Sequence, residues 1–416
     1  MRPQRSPRRA HWIIAINLLA IVQLSLLLQP TYSAFSAVTG NANTFASAVS
    51  FGPTCSQPAK AFTAINGFET GIDLATGSWS ELGTGGGTVT SDTTTVHGGT
   101  RSMKVAQVNG GDAYLMQMAP ASQTVMVTRW AMRFSVRPQD GDELFNVKNG
   151  GSVDMKMQFD GTNKLNVEMS STVVSTTTIA LNTWYVIDLR YSVAANPHRV
   201  DWRINGVAQT AATSATAATT LADMRWGSSS DTNLYTAFYD DLVISHTSAD
   251  YPIGDGVVKA VRPNGQGTHA TSGSFQNHDN SAIGASSPGY LDEDPITSNT
   301  DYVKQVTAGT GSYLEFTFPD VNECVDGVVA TVGYHASGTS ANAARTDIKV
   351  GGVTTSVVTN MNATSLTRVV KKIAPSGSAW VYTDLNDAVV RFGYASTISS
   401  RIPYLDAVTL EYNVPV

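Results

Sequence analysis

The chain shows almost no helical signal after residue 33, and this feature limits its fold more than any other. No stretch of a dozen residues there repeats apolar side chains every 3.6 residues between helix caps. Short runs rich in Val, Ile, Thr, Tyr and Phe alternate instead with clusters of Gly, Asn, Asp and Ser. Strands separated by turns produce this pattern, so the sequence predicts an all-β protein.

The clearest strand signals lie between residues 125 and 245. The longest is VMVTRWAMRFSV, at Val125–Val136, and two shorter runs flank an Asp-Gly turn signal at Asp160. The run RVDWRINGVAQ alternates apolar and polar side chains, as a strand with one buried face does. Antiparallel strands with one apolar face need a second sheet to cover that face, so we expect a β-sandwich.

Four motifs in order carry a family resemblance. They are GFETG at Gly67–Gly71, WYVIDLRY at Trp184–Tyr191, VDWRINGV at Val200–Val207 and FYDDLVIS at Phe238–Ser245. This order resembles the concanavalin A-like lectin/glucanase superfamily, in its laminin-G-like branch, over residues 64–250. The resemblance implies a two-sheet jelly roll. Many members bind glycans on the concave face, some hydrolyse them, and some bind calcium near the rim.

The pattern changes after residue 250. The stretch SADYPIGDG, at Ser248–Gly256, is polar with Pro and two Gly, and we interpret residues 251–261 as a linker. Strand signals resume within residues 262–416 and predict a second β-sandwich of about six strands. The last part of this segment resembles C-terminal β modules that follow concanavalin A-like domains in phage-tail-like and bacterial surface proteins. The expected fold is therefore a concanavalin A-like jelly roll followed by a second sandwich.

The N-terminus has the three parts of a secretory signal. A head with four Arg and no acidic residue precedes an uncharged apolar run, Trp12–Leu28, and small residues follow at Ser33 and Ala34. We predict a signal peptide at 1–33, cleaved after Ser33. The alternative is an uncleaved membrane anchor, because the run is only slightly short for a membrane span. Either outcome exports the rest of the chain.

Residues 34–63 form a small-residue segment between the signal and the first predicted sandwich. Its start, AFSAVTGNANTFASA, resembles the segment after the signal in bacterial matrix-fibre and camelysin-like proteins. That resemblance implies that residues 34–50 could add as a strand to a neighbouring subunit. The alternative is a flexible tether.

The charge of the exported chain limits its partners. The whole chain has 27 basic and 33 acidic residues, and removal of residues 1–33 leaves 23 basic residues and a net charge of −10. Nucleic acid and anionic membranes are therefore not expected partners.

Catalytic patterns are missing from the sequence. Glycan hydrolysis needs paired carboxylates on one strand face, and no run of alternating acidic residues occurs. We interpret Asp154 and Asp160 as solvated turn carboxylates. There is no Gly-x-Ser-x-Gly motif, no Walker loop, and no metal-ligand spacing among the seven His. We therefore expect a protein that is not an enzyme.

Sugar binding needs exposed aromatic side chains, and three are candidates on sequence grounds. Trp79, Trp130 and Tyr235 lie near polar loops or are not clearly buried by the strand pattern. We predict that they contact carbohydrate. Trp202 and Trp226 fall on apolar faces and are expected in the core.

Calcium is the one cofactor that the sequence suggests. Asp140, Asp142 and Glu143 cluster in a turn, and hard cations prefer clustered oxygen ligands. The pair Asp240 and Asp241 interrupts an apolar strand. We expect one of these carboxylates to point inward and accept backbone N–H bonds from a neighbouring turn.

Two cysteines, Cys55 and Cys324, could form one long-range disulfide in an exported chain, or remain separate thiols.

These observations together predict a secreted bacterial-type surface protein without catalytic activity. Its partner would be an extracellular polysaccharide or glycoconjugate, bound by an adhesive module. The alternative is a structural subunit that self-assembles into a filament or matrix by strand donation. A glycoside hydrolase is the least favoured class.

Overall fold

The computed structural model describes residues 56–72, 79–149, 152–194, 197–215, 220–228, 233–269, 275–292, 300–307, 312–338, 344–381, 383–394 and 401–416. Residues 52–416 form one compact unit. The predicted signal peptide and the predicted donor strand lie outside the described residues. Within those ranges no helix is long and apolar enough to cross a membrane.

Strands dominate the described residues. The first group is β1 (Ser56–Pro58), β2 (Phe62–Asn66), β3 (Glu81–Gly83), β4 (Thr88–Asp92), β5 (Ser102–Gln107), β6 (Ala113–Met118), β7 (Val125–Val136), β8 (Glu143–Asn149), β9 (Ser152–Phe159), β10 (Lys164–Glu168), β11 (Thr172–Thr178), β12 (Tyr185–Ser192), β13 (His198–Ile204), β14 (Val207–Ala208), β15 (Ala212–Ser214), β16 (Asp223–Ser228) and β17 (Tyr235–Ser245). The second group is β18 (Gly256–Val261), β19 (Gly265–Gln266), β20 (Phe275–Asn277), β21 (Val303–Gln305), β22 (Tyr313–Thr317), β23 (Gly327–Ala336), β24 (Ala344–Val350), β25 (Val353–Val358), β26 (Thr367–Ile373), β27 (Ala379–Val381), β28 (Val389–Tyr394) and β29 (Pro403–Pro415). Two short 3₁₀ turns lie at Ser248–Asp250 and Ser287–Tyr290.

Two antiparallel sheets form the first sandwich. The seven-stranded sheet has the order β11-β10-β9-β8-β16-β6-β3. The nine-stranded sheet has the order β14-β13-β12-β7-β17-β5-β4, with β15 paired to β13 and β2 paired to β17. Their inner faces share one core, in which Trp130, Trp202 and Trp226 are almost completely buried. Alternation along each strand sends these large apolar side chains inward, which confirms the expected core positions of Trp202 and Trp226.

The second sandwich follows in the chain. Its six-stranded sheet has the order β20-β21-β29-β23-β26, with β18 paired to β29, and its five-stranded sheet has the order β19-β22-β28-β24-β25. Trp380, Phe316 and Phe392 are buried in the core that these two sheets share. The predicted all-β class, with one β-sandwich followed by a second, is confirmed.

A third apolar cluster joins the two sandwiches. It combines Val127 and Val243 of the nine-stranded sheet with Val258 and Val329 of the six-stranded sheet. Val243 and Val329 point away from the core of their own sandwich, because the residues before and after each of them, Leu242 and Ile244 or Val328 and Ala330, face inward. The outer faces of the two sheets are therefore packed against each other.

The predicted linker at 251–261 is wrong for its second half. Residues 256–261 form β18, which pairs with β29, and Val258 is fully buried. Pro and Gly in this segment suggested a loop. Residues 256–261 nevertheless form a strand, in which Val258 is buried at the contact between the sandwiches. The end of the predicted tether at 34–63 is also ordered into the fold, because Phe62 is buried and begins β2.

One of the carboxylates of Asp240 and Asp241 was expected to point inward and the other outward, and only the first expectation is right. Asp240 Oδ2 accepts the backbone N–H groups of His97 (2.8 Å) and Gly98 (3.2 Å), as expected for an inward carboxylate beside a turn. Asp241 is buried as well, because the pairing of β17 with β7 shifts register between Asp240 and Val243. Its Oδ1 accepts the N–H of Val258 at 2.5 Å, so this bulge turns the second carboxylate towards the other sandwich.

Candidate functional site

A pocket of about 410 Å³ opens at one end of the first sandwich. It lies where the end of β8, the start of β9 and the β10–β11 turn of the seven-stranded sheet approach β15 of the nine-stranded sheet. The lining residues are Asn149, Ser152, Val153, Asp154, Met169, Ser170 and Ser214. Five of these seven side chains carry a hydroxyl, amide or carboxylate group, so the pocket is a polar site of the size that proteins use for small ligands.

A β-bulge places Asp154 at this pocket. Val147 pairs with Met155 and the next residue, Lys148, pairs with Val153, so Asp154 is the extra residue of β9. A bulge of this kind redirects one side chain and commonly occurs beside functional sites. Regular alternation would have left Asp154 on the solvent face of the sheet. The interpretation of Asp154 as a solvated turn carboxylate is therefore wrong, since its side chain is only 8% exposed.

Two side chains of the opposite sheet hold the Asp154 carboxylate. The hydroxyl of Tyr191 on β12 donates a hydrogen bond to Oδ2 of Asp154. Nδ1 of His198 on β13 lies 3.1 Å from the same oxygen. The other oxygen, Oδ1, has no hydrogen-bond partner among the described residues. Asp154 therefore offers the pocket one acceptor atom, in an orientation that two buried side chains fix.

Two serine hydroxyls face each other across the pocket. Oγ of Ser170 lies 2.7 Å from Oγ of Ser214, which joins the β10–β11 turn to β15. Ser214 is directly opposite His198 in the pairing of β15 with β13, so the two side chains lie on the same face. A hydroxyl both donates and accepts, and these groups therefore complement the acceptor atom of Asp154.

The described lining of the pocket carries a single carboxyl group. Hydrolysis of a glycosidic bond by the common mechanism uses two carboxyl groups on opposite sides of the scissile bond. Asp154 supplies the one carboxyl group among the described lining residues. Asp160, the other acidic residue considered on β9, accepts the backbone N–H groups of Thr162 and Lys164 in its turn. Its hydrogen bonds lower the pKa of Asp160. Its predicted place in a turn is right, but at 9% exposure it is buried and not solvated as predicted.

The three aromatic residues predicted to contact sugar are buried, so this prediction is wrong. Trp79 is 3% exposed and stacks on Phe68 with ring centroids 6.0 Å apart. Trp130 is fully buried on the inner face of β7. Tyr235 is 1% exposed, and its hydroxyl donates to the carbonyl of Glu143 at 2.8 Å. Sequence alternation near a strand end left their orientation open, and packing between the two sheets decided it.

The three predicted calcium ligands do not converge. Asp142 accepts the N–H of Gln139 at 2.6 Å and the side-chain amide of Asn233 at 2.8 Å. Asp140 instead caps the backbone N–H of Gly161, and Glu143 accepts a hydrogen bond from Asn146. No group of three potential metal-ligating side chains occurs among the described residues. Each carboxylate is paired with its own donor, so the prediction of calcium at these residues is wrong.

The predicted disulfide lies only partly within the described residues. Cys324, in the loop before β23, is disulfide-bonded. Cys55 lies outside the described residues, directly before β1. Pairing of Cys55 with Cys324 therefore stays a prediction.

Fold and pocket together define an all-β protein with two joined sandwiches and a polar pocket at one end of the first. No protein-family model matches the chain. No curated protein matches it either.

Several solved structures share part of the fold. Cellulose induced protein, Cip1, is 16% identical with a TM-score of 0.36, and the match covers 44% of this chain and 97% of that one. Domain 4 of AbnA, an extracellular arabinanase from Geobacillus stearothermophilus in complex with arabinotriose, is 18% identical with a TM-score of 0.31, covering 45% and 93%. A marine alginate lyase from Zobellia galactanivorans is 13% identical with a TM-score of 0.28, covering 35% and 78%. At these values the similarities assign no activity to this chain.

Proposed function

We propose that this chain is an exported surface protein that binds an extracellular glycan without cleaving it, and that the pocket at Asp154 is the binding site. The observation that carries the proposal is the fixed Asp154 carboxylate beside the Ser170 and Ser214 hydroxyls. A sugar presents many hydroxyl groups at short spacing. Each can donate to Oδ1 of Asp154 or exchange hydrogen bonds with a serine, so the lining suits a polyol.

Charge and export support the same class of ligand. The predicted exported chain has a net charge of −10, which disfavours polyanions as partners. A basic head followed by an apolar run supports secretion, and a non-catalytic glycan-binding protein outside the cell would serve in adhesion. The single carboxylate of the pocket supports binding over turnover.

Binding of the full chain to an array of glycans tests this proposal. We expect a subset of glycans to bind, and Asp154→Asn to weaken that binding at least about tenfold, because a charged acceptor is replaced by a neutral amide. Asp320→Asn is the matched control, since Asp320 is an exposed carboxylate of the second sandwich. Equal binding by wild type and Asp154→Asn would reject the pocket as the site.

A turnover assay tests the absence of catalysis. The bound glycan is incubated with the protein, and new reducing ends or unsaturated ends are measured over time. We expect neither to increase above the level in buffer. Accumulation of either product that Asp154→Asn abolishes would show that the pocket is an active site.

A further inference from the structure

Five aromatic rings lie together on one side of the second sandwich. We call this group the aromatic shelf, and its members are His278, Tyr290, Tyr302, His335 and Tyr404. Four of them are half-buried, and His335 is the most enclosed at 8% exposure. None belongs to the apolar core of the sandwich except for Tyr290, which packs against its edge.

The strand register explains why residues so distant in sequence meet here. Strand β29 lies between β23 and β21. Tyr404 on β29 is directly opposite His335 on β23 and directly opposite Lys304 on β21. Residues directly opposite share a face of the sheet. The next residue along β29, Leu405, points into the core, so Tyr404 and its partners are on the outer face.

The rings form a continuous series of contacts. His335 and Tyr404 are stacked, with centroids 4.2 Å apart and planes inclined by 10°. Tyr302 contacts Tyr404 edge to face at 4.8 Å and continues to His278 at 5.9 Å. His278 contacts Tyr290 at 5.0 Å. Mutual contacts of this kind hold each ring in one orientation, which makes the shelf a preformed surface.

Polar groups accompany the rings. The hydroxyls of Tyr302 and Tyr404 have no hydrogen-bond partner among the described residues. The Lys304 ammonium group is 2.5 Å from Oδ1 of Asn280. The side chain of Asp301 is 53% exposed and lies 3.6 Å from His278. Two more carboxylates contact the rings: Asp406 lies 2.9 Å from Nδ1 of His335, and Asp279 lies 3.4 Å from the hydroxyl of Tyr290. The shelf therefore combines ring surface with polar groups, and these carboxylates outnumber the Lys304 cation.

We propose that the aromatic shelf is a second glycan-binding surface, which takes a neutral polysaccharide. The apolar C–H face of a sugar ring would pack on the tyrosine rings, and its hydroxyls would bond to the tyrosine hydroxyls and Asp301. The outer face of this sheet packs against the first sandwich through a different cluster, to which none of the five rings belongs. Exposed parts of antiparallel sheets are normally polar, so connected aromatic rings outside that cluster indicate a ligand. The excess of carboxylates over the Lys304 cation favours a neutral chain, because a uronic-acid polymer would be repelled by them.

This site is separate from the pocket and does not depend on it. The pocket is built by β8–β11 and β15 of the first sandwich. The shelf is built by β21, β23 and β29, with Tyr302 directly before β21, His278 directly after β20 and Tyr290 in the second 3₁₀ turn. Asn413, where β29 contacts the first sandwich, is nine residues from Tyr404, or about 30 Å along an extended strand. Variants at one site therefore leave the other site intact.

Titration of the full chain with soluble polysaccharides tests the shelf. The probes are arabinan, mannan and mixed-linkage glucan as neutral chains, and alginate as a uronic-acid chain. We expect a neutral chain to bind, and Tyr302→Ala and Tyr404→Ala each to lower its affinity about tenfold, as truncation of a central aromatic contact does. Tyr313→Ala is the matched control, because Tyr313 is a half-buried tyrosine on the other sheet of this sandwich. The affinity of the Tyr313→Ala variant for the neutral chain should stay within about twofold of the wild-type affinity.

Three results would overturn the shelf proposal. One is unchanged binding by both folded tyrosine variants, and another is tighter binding of alginate than of any neutral chain. The third is self-association of wild type, measured by sedimentation velocity, that Tyr302→Ala abolishes while no polysaccharide binds. Asp154→Asn separates the two sites. Loss of binding in this variant alone would support only the pocket, and loss in the tyrosine variants alone would support only the shelf.

Discussion

Arg129 of the first sandwich donates a hydrogen bond of 2.8 Å to the side-chain oxygen of Asn413 in the second. Both residues are buried, and Asn413 in turn donates to Oδ1 of Asp326 at 2.7 Å. The guanidinium group of Arg129 also donates to the carbonyl of Asp241, at 3.0 Å from Nη2. Burial lowers the pKa of Arg129, whereas the negative charges of Asp241 and Asp326 favour its charged form. A fully buried cation is thus held between the two sandwiches by groups from both.

The first prediction is that Asn413→Ala destabilises the whole protein. Removal of the amide leaves Arg129 with one acceptor fewer and leaves Oδ1 of Asp326 without this donor. We expect a loss of about 1–3 kcal/mol in the free energy of unfolding, measured by urea titration. Asn264→Ala is the control, because Asn264 is exposed on the second sandwich. Equal urea unfolding midpoints for Asn413→Ala and Asn264→Ala would contradict a stabilising role of the Asn413 side chain.

The second prediction is that the sandwiches unfold together. The apolar cluster around Val127, Val258 and Val329 and the hydrogen bond at Asn413 stabilise each sandwich only while the other is folded. Calorimetry of the wild type should therefore show one transition, with equal calorimetric and van't Hoff enthalpies. Two separated heat-absorption peaks would show that the contact is too weak to couple the sandwiches.

The third prediction concerns pH. Burial raises the pKa of Glu411 from 4.5 to about 8, and Glu411 accepts the N–H of Gly67 across the same contact. Between these two pH values the folded chain binds a proton that the unfolded chain releases. The stabilising contribution is therefore complete below pH 4.5 and is lost as the pH rises through about 8.

Glu411→Gln isolates this effect, since glutamine resembles the protonated acid and does not titrate. Thermal unfolding midpoints of wild type and variant are compared from about pH 5 to about pH 9. We expect the wild type to lose stability relative to the variant as pH rises. Asp240, whose pKa burial and the neighbouring Asp241 also raise, titrates in both proteins and cancels in the comparison. A constant difference across the range would contradict the raised pKa of Glu411.

The fourth prediction concerns the groups that position Asp154. Tyr191→Phe keeps the ring in the core but removes the hydrogen bond to Oδ2 of Asp154. We expect glycan affinity at the pocket to fall about fivefold and the free energy of unfolding to fall by about 1 kcal/mol, because His198 still contacts Oδ2 of Asp154. Tyr185→Phe is the control, because its hydroxyl bonds to Ala180 and Thr178 away from the pocket. Equal affinity in wild type and Tyr191→Phe would mean that the tyrosine does not position the carboxylate.

The sequence predicted the parts of the fold that local pattern determines. The predicted strand at Val125–Val136 has the observed bounds of β7, and the Asp160 turn joins β9 to β10. Period-two alternation and turn residues act within a few positions, so a single sequence contains them. The linker prediction at 251–261 was wrong because local pattern does not determine this segment. Strand β18 forms by pairing with β29, which is distant in the sequence.

Both candidate sites depend on information that the local pattern does not carry. Asp154 reaches the pocket because one bulge shifts β9 by a residue, and alternation alone predicts the opposite face. The shelf brings Tyr302, His335 and Tyr404 together through the register of three strands. Only the order of strands in the sheet reveals that these three residues are neighbours. Trp79, Trp130 and Tyr235 were mistaken for surface residues for the same reason.

The buried contact at Arg129 and Asn413 also determines how much affinity a long ligand could gain by binding the pocket and the shelf together. Modules on a flexible linker adjust their separation to the ligand, and the linker sets the effective concentration of the second site. Here β18 runs directly from one sandwich into a sheet of the other, and the contact fixes their separation. Avidity for a polysaccharide that reaches both sites would therefore depend on the spacing and stiffness of the polysaccharide, so that the protein would select chains by length as well as by sugar.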